Sequence, residues 1–203
     1  MQVDRTLPLT VRGAEHPWVS RGGQKLDHAL THFDIDPQGL VALDVGASTG
    51  GFTDVLCQRG ARRVYAVDVG YGQLATRLRD DARVAVLERT NARYLTRAEV
   101  PEPVDLIVCD ASFIGLRTIL PAPLALAAPC AKLVALIKPQ FEAGRARVGK
   151  GGIVRDPAVH EEVCTAIRAW LTAEGWPVQG LVESPIKGRD GNAEFLIAAQ
   201  RGP

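Results

Sequence analysis

Apolar positions along the chain fall into short unbroken runs, spaced by stretches in which they recur every three or four residues. Runs at 40–43, 63–68, 83–87, 103–110, 132–138, 178–182 and 194–199 have the length and composition of buried strands. Between them the spacing changes to that of helices. Leu26, Ala29, Leu30 and Phe33 repeat on one helical face, Phe52, Val55 and Leu56 mark a crossover helix, and residues 73–79 read as a short helix. Residues 114–128 read as an apolar, mostly helical stretch broken into two by Pro121 and Pro123. Asp156-Pro157 is an N-cap followed by a first-turn proline, and Val159, Val163, Ile167, Trp170 and Leu171 form the stripe of a long helix behind it. Strands alternating with helices, closed by a hairpin whose loop is 184–192, predict an α/β fold. The sheet is Rossmann-like, doubly wound and mostly parallel, with one antiparallel edge strand.

The first strand runs into Leu43-Asp44-Val45-Gly46-Ala47-Ser48-Thr49-Gly50-Gly51-Phe52-Thr53. A strand, glycines and a helix start bring backbone amides close to any small polar ligand at the strand's carboxyl end. The spacing is Asp-x-Gly-x-x-x-Gly-Gly, without the Gly-x-Gly-x-x-Gly of dinucleotide sites. An acid at position 44 repels a pyrophosphate and welcomes an ammonium, so S-adenosylmethionine suits the loop better than NAD does. An ordinary strand-turn-helix corner, with glycines only for chain reversal, accounts for the same spacing. Asp68, about 20 residues past the glycines, stands where such folds place the carboxylate that binds ribose hydroxyls; capping the turn Val69-Gly70-Tyr71-Gly72 is its alternative role. The polar segment Glu88-Arg89-Thr90-Asn91 at a third strand end can reach an adenine.

Charge adds less. A net charge of +1 does not mark a nucleic-acid binder, but two segments are locally basic: residues 5–25, with Arg5, Arg12, Arg21 and Lys25 against Glu15, and residues 138–155, with Lys138, Arg145, Arg147, Lys150 and Arg155 against Glu142. They read either as solvated loops or as a phosphate-binding rim, with Arg21, Arg145, Arg147, Lys150 and Arg155 as the RNA contacts. The four cysteines, Cys57, Cys109, Cys130 and Cys164, are too far apart for a CxxC metal site and are expected to be buried thiols. No apolar stretch reaches the roughly 18 residues of a membrane span, and the N-terminus lacks a secretory pattern, which makes the cytoplasm the expected compartment. Residues 1–19 read as a linker or N-terminal extension and 20–203 as one domain.

In a doubly wound sheet the strand carboxyl ends share one crevice, so the glycine loop, Asp68, Asp110 and Lys138 are expected to converge. Methyl transfer from a sulfonium needs no metal and no covalent intermediate, only an aligned and partly deprotonated nucleophile. A lysine near the sulfonium and a second lysine is pushed toward its neutral form and can act as base, while neighbouring carboxylates push the other way. A strand-end lysine that merely snorkels to solvent is the alternative for Lys138. Lys25, in a helix's first turn, opposes the helix dipole, which raises the case for another purpose.

Several long segments resemble one family in order over residues 18–196: Ser20-Arg21-Gly22-Gly23-Gln24-Lys25-Leu26, the glycine loop above, Val67-Asp68-Val69-Gly70-Tyr71-Gly72-Gln73-Leu74, Glu88-Arg89-Thr90-Asn91, Cys109-Asp110-Ala111-Ser112-Phe113, Lys138-Pro139-Gln140-Phe141-Glu142 and residues 149–157. The chain is similar to the TlyA family, also called haemolysin A, the FtsJ-like 2′-O-ribose rRNA methyltransferases of class I fold. The resemblance implies S-adenosylmethionine as cofactor, ribosomal RNA or ribosomal subunits as partner and cytidine riboses of 16S and 23S rRNA as targets. It implies a Lys-Asp-Lys-Glu tetrad on Lys25, Asp110, Lys138 and Glu194, with Lys138 the leading base. The cofactor site it implies comprises Asp44, Gly46, Ala47, Ser48, Thr49, Gly50, Gly51, Phe52, Thr53, Asp68, Val69, Thr90, Asn91 and Asp110. Family members carry an N-terminal S4 RNA-binding domain, for which residues 1–17 show no counterpart, so either a methyltransferase-domain portion or a naturally short chain is expected. Two other classes of function compete: a membrane-lytic protein, for which no span or strongly basic amphipathic helix speaks, and a cofactor-binding RNA-binding module without activity.

Overall fold

The computed structural model describes residues 16–188 and 190–202, so most of the N-terminal extension expected at 1–19 lies outside the described residues. Among the described residues seven strands form one sheet: β1 (Val41–Val45), β2 (Arg63–Val67), β3 (Val84–Leu87), β4 (Val104–Cys109), β5 (Ala127–Ile137), β6 (Val178–Glu183) and β7 (Phe195–Gln200). Their order is β3-β2-β1-β4-β5-β7-β6. The strands β3, β2, β1, β4 and β5 pair in parallel, and β7 lies antiparallel between β5 and β6 at one margin of the sheet. The sheet is mostly parallel with its antiparallel strand at that margin, as the alternation of runs predicts. After β3 the chain crosses back to the other side of β1, and the crevice opens at this reversal, between the ends of β1 and β4.

Register decides what meets there. Val45 pairs with both Val67 and Cys109, so the next residues, Gly46, Asp68 and Asp110, leave the sheet side by side. Ile137 pairs with Phe195. Because β7 runs the other way, its beginning reaches the same edge as the end of β5, which sets Glu194 beside Lys138.

Alternate residues of each strand feed two apolar layers. Val41, Leu43, Val45, Ile107, Leu133 and Ile137 face α4 (Leu116–Ile119), α5 (Pro121–Ala125) and α7 (Pro157–Ala173). Ala42, Val64, Leu106, Val108 and Leu136 face α1 (Gly22–His32) and α2 (Gly51–Gln58). The stripe expected on the long helix is present, with Val163, Ile167 and Leu171 buried, and Asp156 Oδ1 accepts a 2.9 Å hydrogen bond from Ala158 N as its N-cap.

Two expectations need correction. The helical stretch expected over 114–128 ends earlier: Pro121 starts α5, where its missing N–H costs nothing, and by Ala127 the chain is already extended as β5. Cys130 is exposed, unlike the buried Cys57, Cys109 and Cys164, because it lies on the outer bend of β5 at φ 61° before the strand enters the core. Burial pushes the other three thiols up, Cys57 and Cys164 to about 11 and Cys109 to about 12, which leaves them inert as nucleophiles.

Candidate active site

The reversal of strand order opens into a cleft of about 910 Å³, lined by the glycine loop, the start of α1, Asp110, Lys138 and Glu194. Each wall has a local cause. Gly46 has φ 86°, and a Cβ there would lie 2.9 Å from Ala111 Cα, so only glycine lets the loop press against the backbone that follows Asp110. The starts of α1 and α2 also touch: a Cβ on Gly51 would meet Ser20 Oγ at 2.3 Å and Gly23 N at 3.0 Å. That contact carries the Ser-Arg-Gly-Gly segment over the crevice and aims Lys25 into it.

Lys25, Asp110, Lys138 and Glu194, remote in sequence, form one chain of charges. Lys25 Nζ lies 2.6 Å from Glu194 Oε2 and 3.7 Å from Asp110 Oδ2. The other carboxylate oxygen, Asp110 Oδ1, lies 2.6 Å from Lys138 Nζ. Lys138 Nζ also donates to the Asp110 carbonyl at 3.2 Å and to Ser112 Oγ at 2.9 Å. Only 8% of Lys25, 6% of Lys138 and 3% of Glu194 is exposed, so the lysines do not snorkel to solvent. Two cations and two anions balance, the condition under which such a group tolerates burial. Ser112 escaped the sequence reading as a site residue, although it lies in a quoted motif, because a lone serine has no spacing signature.

The expected cofactor residues divide in three. Gly46, Ala47, Ser48, Thr49, Gly51, Phe52 and Asp110 line the cleft. Asp44, Gly50 and Thr53 are buried behind that lining: Thr53 Oγ1 donates to Asp44 Oδ2 at 2.7 Å, and Asp44 Oδ1 is buried without a partner among the described residues. Asp68, Val69, Thr90 and Asn91 sit at the ends of β2 and β3. There the Asp68 carboxylate accepts from Ser48 N at 2.8 Å and Gly70 N at 2.7 Å, while Val69 stands 70% exposed. Asn91 caps the 3₁₀ turn Ala92–Tyr94 by accepting from Arg93 N, so its side-chain oxygen is already engaged.

This arrangement fits S-adenosylmethionine. A glycine-walled cradle leaves room for the amino acid part, the Asp68 carboxylate, each oxygen of which accepts one backbone N–H, keeps lone pairs that would take ribose hydroxyls, and exposed Val69 would offer an apolar face to an adenine.

Asp44 supplies a pH signature. Burial, offset in part by the Thr53 hydrogen bond and reinforced by the Asp110 charge, pushes its carboxyl from 3.8 up to about 7. The folded state therefore holds this proton more tightly than the unfolded chain. Its stabilising effect is full below pH 4 and is lost as pH rises to about 7. Urea unfolding of the cofactor-free protein is expected to show a decline of up to roughly 4 kcal/mol from this group over that window, superimposed on other titrations. Asp44→Asn should remove it; an unchanged pH slope in the variant would contradict the assignment.

The candidate RNA contacts are less uniform. Arg21, Arg145, Lys150 and Arg155 are exposed, and Arg21 lies on the cleft wall. Arg147 is committed to the scaffold: its Nη1 lies 2.5 Å from Glu162 Oε2 and its Nε donates to the Ala143 carbonyl at 2.9 Å. Buried Asn192 ties the basic loop to the strand that carries Glu194, accepting from Val154 N at 3.0 Å and donating to Gly152 O at 3.0 Å. Phe113, at φ 66° and 91% exposed, leans on Phe141 with ring centroids 5.3 Å apart at the cleft wall, offering a stacking face.

The sheet order and this strand-end crevice are those of a class I methyltransferase. The FtsJ-like methyltransferase model matches residues 18–201, and the chain belongs to that family. It is 50% identical over 194 residues to the 16S/23S rRNA (cytidine-2′-O)-methyltransferase TlyA of Mycobacterium tuberculosis, covering 96% of this chain and 72% of that protein. A solved structure of a candidate hemolysin from Streptococcus thermophilus superposes with a TM-score of 0.90 at 44% identity, covering 94% of this chain and 70% of that one. Magnesium protoporphyrin IX methyltransferase of Synechocystis with bound SAM, at 16% identity and a TM-score of 0.60 over 89% of this chain and 80% of that one, shares the fold alone. Among the described residues no helix is long and apolar enough to cross a membrane.

Proposed function

We propose that this chain transfers a methyl group from S-adenosylmethionine to the ribose 2′-hydroxyl of cytidines in ribosomal RNA, with residues 20–203 as the catalytic domain. The observation that carries the reading is the buried Lys25–Glu194, Lys25–Asp110 and Lys138–Asp110 network in the wall of a glycine-lined cleft. The cofactor contributes an electrophilic methyl on a positively charged sulfur. The protein has to hold the hydroxyl in line and remove its proton.

Lys138 is the base in this reading. Its Nζ is held on three sides, by Asp110 Oδ1, the Asp110 carbonyl and Ser112 Oγ, so its position is fixed before substrate arrives. Entry of the ribose displaces one of these contacts, Ser112 Oγ being the most exposed, and Lys138 acts as base once it has released its own proton to solvent. Lys25, itself held by Glu194, faces the other oxygen of Asp110 and keeps the carboxylate aligned while Lys138 takes the proton. Arg21, Arg145, Lys150 and Arg155 then bind phosphates around the rim, with Arg147 bracing the loop.

The test is label transfer. Ribosomal subunits incubated with the protein and methyl-labelled S-adenosylmethionine are expected to carry label in RNA that survives protease and is lost on nuclease digestion. Label confined to protein, or none with a protein shown to bind the cofactor, would overturn the proposal.

A further inference from the structure

Across β1 from Lys138 and the basic loop, the loops beyond the ribose and adenine positions at the ends of β2 and β3 expose a second surface that the reaction as described does not use. Tyr71 is 69% exposed and Tyr94 70% exposed. A guanidinium lies against each ring: Arg89 Cζ is 4.1 Å from the Tyr71 centroid and Arg93 Cζ 5.2 Å from that of Tyr94. Neither arginine has a carboxylate within ion-pair distance among the described residues, whereas nearby Arg77 and Arg79 are paired with Asp54 and Glu88. The pairs are also held in place. Arg89 adopts φ 53°, a left-handed conformation that non-glycine residues rarely take, and its N donates to the Gly70 carbonyl at 3.0 Å. Asn91 Oδ1 accepts from both N and Nε of Arg93 at 3.2 Å.

An arginine stacked on a tyrosine keeps its N–H edge free for a phosphate, and the opposite face of the ring remains open to a base. Two such pairs with uncompensated charge suit single-stranded or looped RNA better than an apolar partner, which would strand two guanidinium groups without acceptors. We infer that Tyr71, Arg89, Arg93 and Tyr94 form a second RNA-docking surface, on the opposite side of the glycine loop from the basic loop, so that the substrate spans the cofactor site. This inference rests on the proposed RNA substrate. It adds a footprint that sequence composition concealed, since the residues are split between two loops.

The test uses two double variants, Tyr71→Ala with Tyr94→Ala, and Arg89→Gly with Arg93→Gln; glycine at position 89 accepts the positive φ, so that fold is kept. Expected for both is a rise of about tenfold in KM for ribosomal subunits with kcat unchanged, and for the tyrosine variant cofactor affinity is unchanged as well. The arginine variant should also reduce the slope of log affinity against log salt by about 2, measured by subunit binding in the presence of S-adenosylhomocysteine. Unchanged subunit affinity and salt slope would overturn the inference. So would weakened cofactor binding with unchanged subunit affinity, which would make the patch part of the adenine wall. Equal loss of affinity for an acidic protein surface and for RNA would overturn the RNA assignment. Failure of the unaltered protein to methylate RNA would instead strike the parent proposal, and the binding arm would still decide this one.

Discussion

Replacing Lys138 by alanine is expected to lower single-turnover methyl transfer to ribosomal subunits by about 10²- to 10⁴-fold, the range typical of a lost general base. The change should leave cofactor affinity within about threefold of the unaltered protein. The separation follows from geometry. Lys138 belongs to the Asp110–Ser112 side of the cleft, whereas the glycine loop holds its shape through Gly46 against Ala111 and through Ser48 N on Asp68. Lys138→Arg is expected to recover little, since a guanidinium keeps its proton and is too broad for a slot with three acceptors around one nitrogen. Rapid-quench measurement at saturating cofactor checks both variants. Transfer within about threefold of the unaltered rate for Lys138→Ala would remove this lysine from the chemistry.

The second large effect is on stability. Lys25→Ala leaves Glu194, 3% exposed, without its 2.6 Å partner and takes a cation from Asp110 as well. An uncompensated buried charge of this kind costs about 3–5 kcal/mol, enough to halve or erase the margin of an ordinary domain. Removing both charges should behave differently. Lys25→Met combined with Glu194→Gln is expected to recover most of that loss, because replacing a buried pair by neutral groups of similar volume is often close to neutral. Activity should stay absent in the double variant, since Asp110 then loses the neighbour that holds its second oxygen. Urea unfolding of the unaltered protein, Lys25→Met, Glu194→Gln and the double variant gives the coupling energy directly. Equal stability of Lys25→Ala and the unaltered protein would show that the pair does not hold the site together.

The mostly parallel sheet and the crevice were legible because buried parallel strands leave short apolar runs and their carboxyl ends must share one edge. Convergence of Asp110 and Lys138 followed from that rule alone. Glu194 did not, because it starts an antiparallel strand; only the resemblance pointed to it, and the register of Ile137 with Phe195 supplies the physical reason. Lys25 was conspicuous as a cation in a helix's first turn, yet its destination depended on a glycine contact between two helix starts. The early start of β5 and the exposure of Cys130 were hidden because alanine and proline in 120–131 suit either state. Arg147 looked like its basic neighbours until Glu162, a helix turn beyond the loop, was placed beside it.

The most direct test of the central claim is the chemical position of the methyl group. Ribosomal RNA treated with the protein and labelled S-adenosylmethionine, digested to nucleosides and resolved by mass spectrometry, is predicted to yield 2′-O-methylcytidine with the label on the sugar fragment. Label on the base fragment, or on a ribose in equal amount with Lys138→Ala, would contradict it.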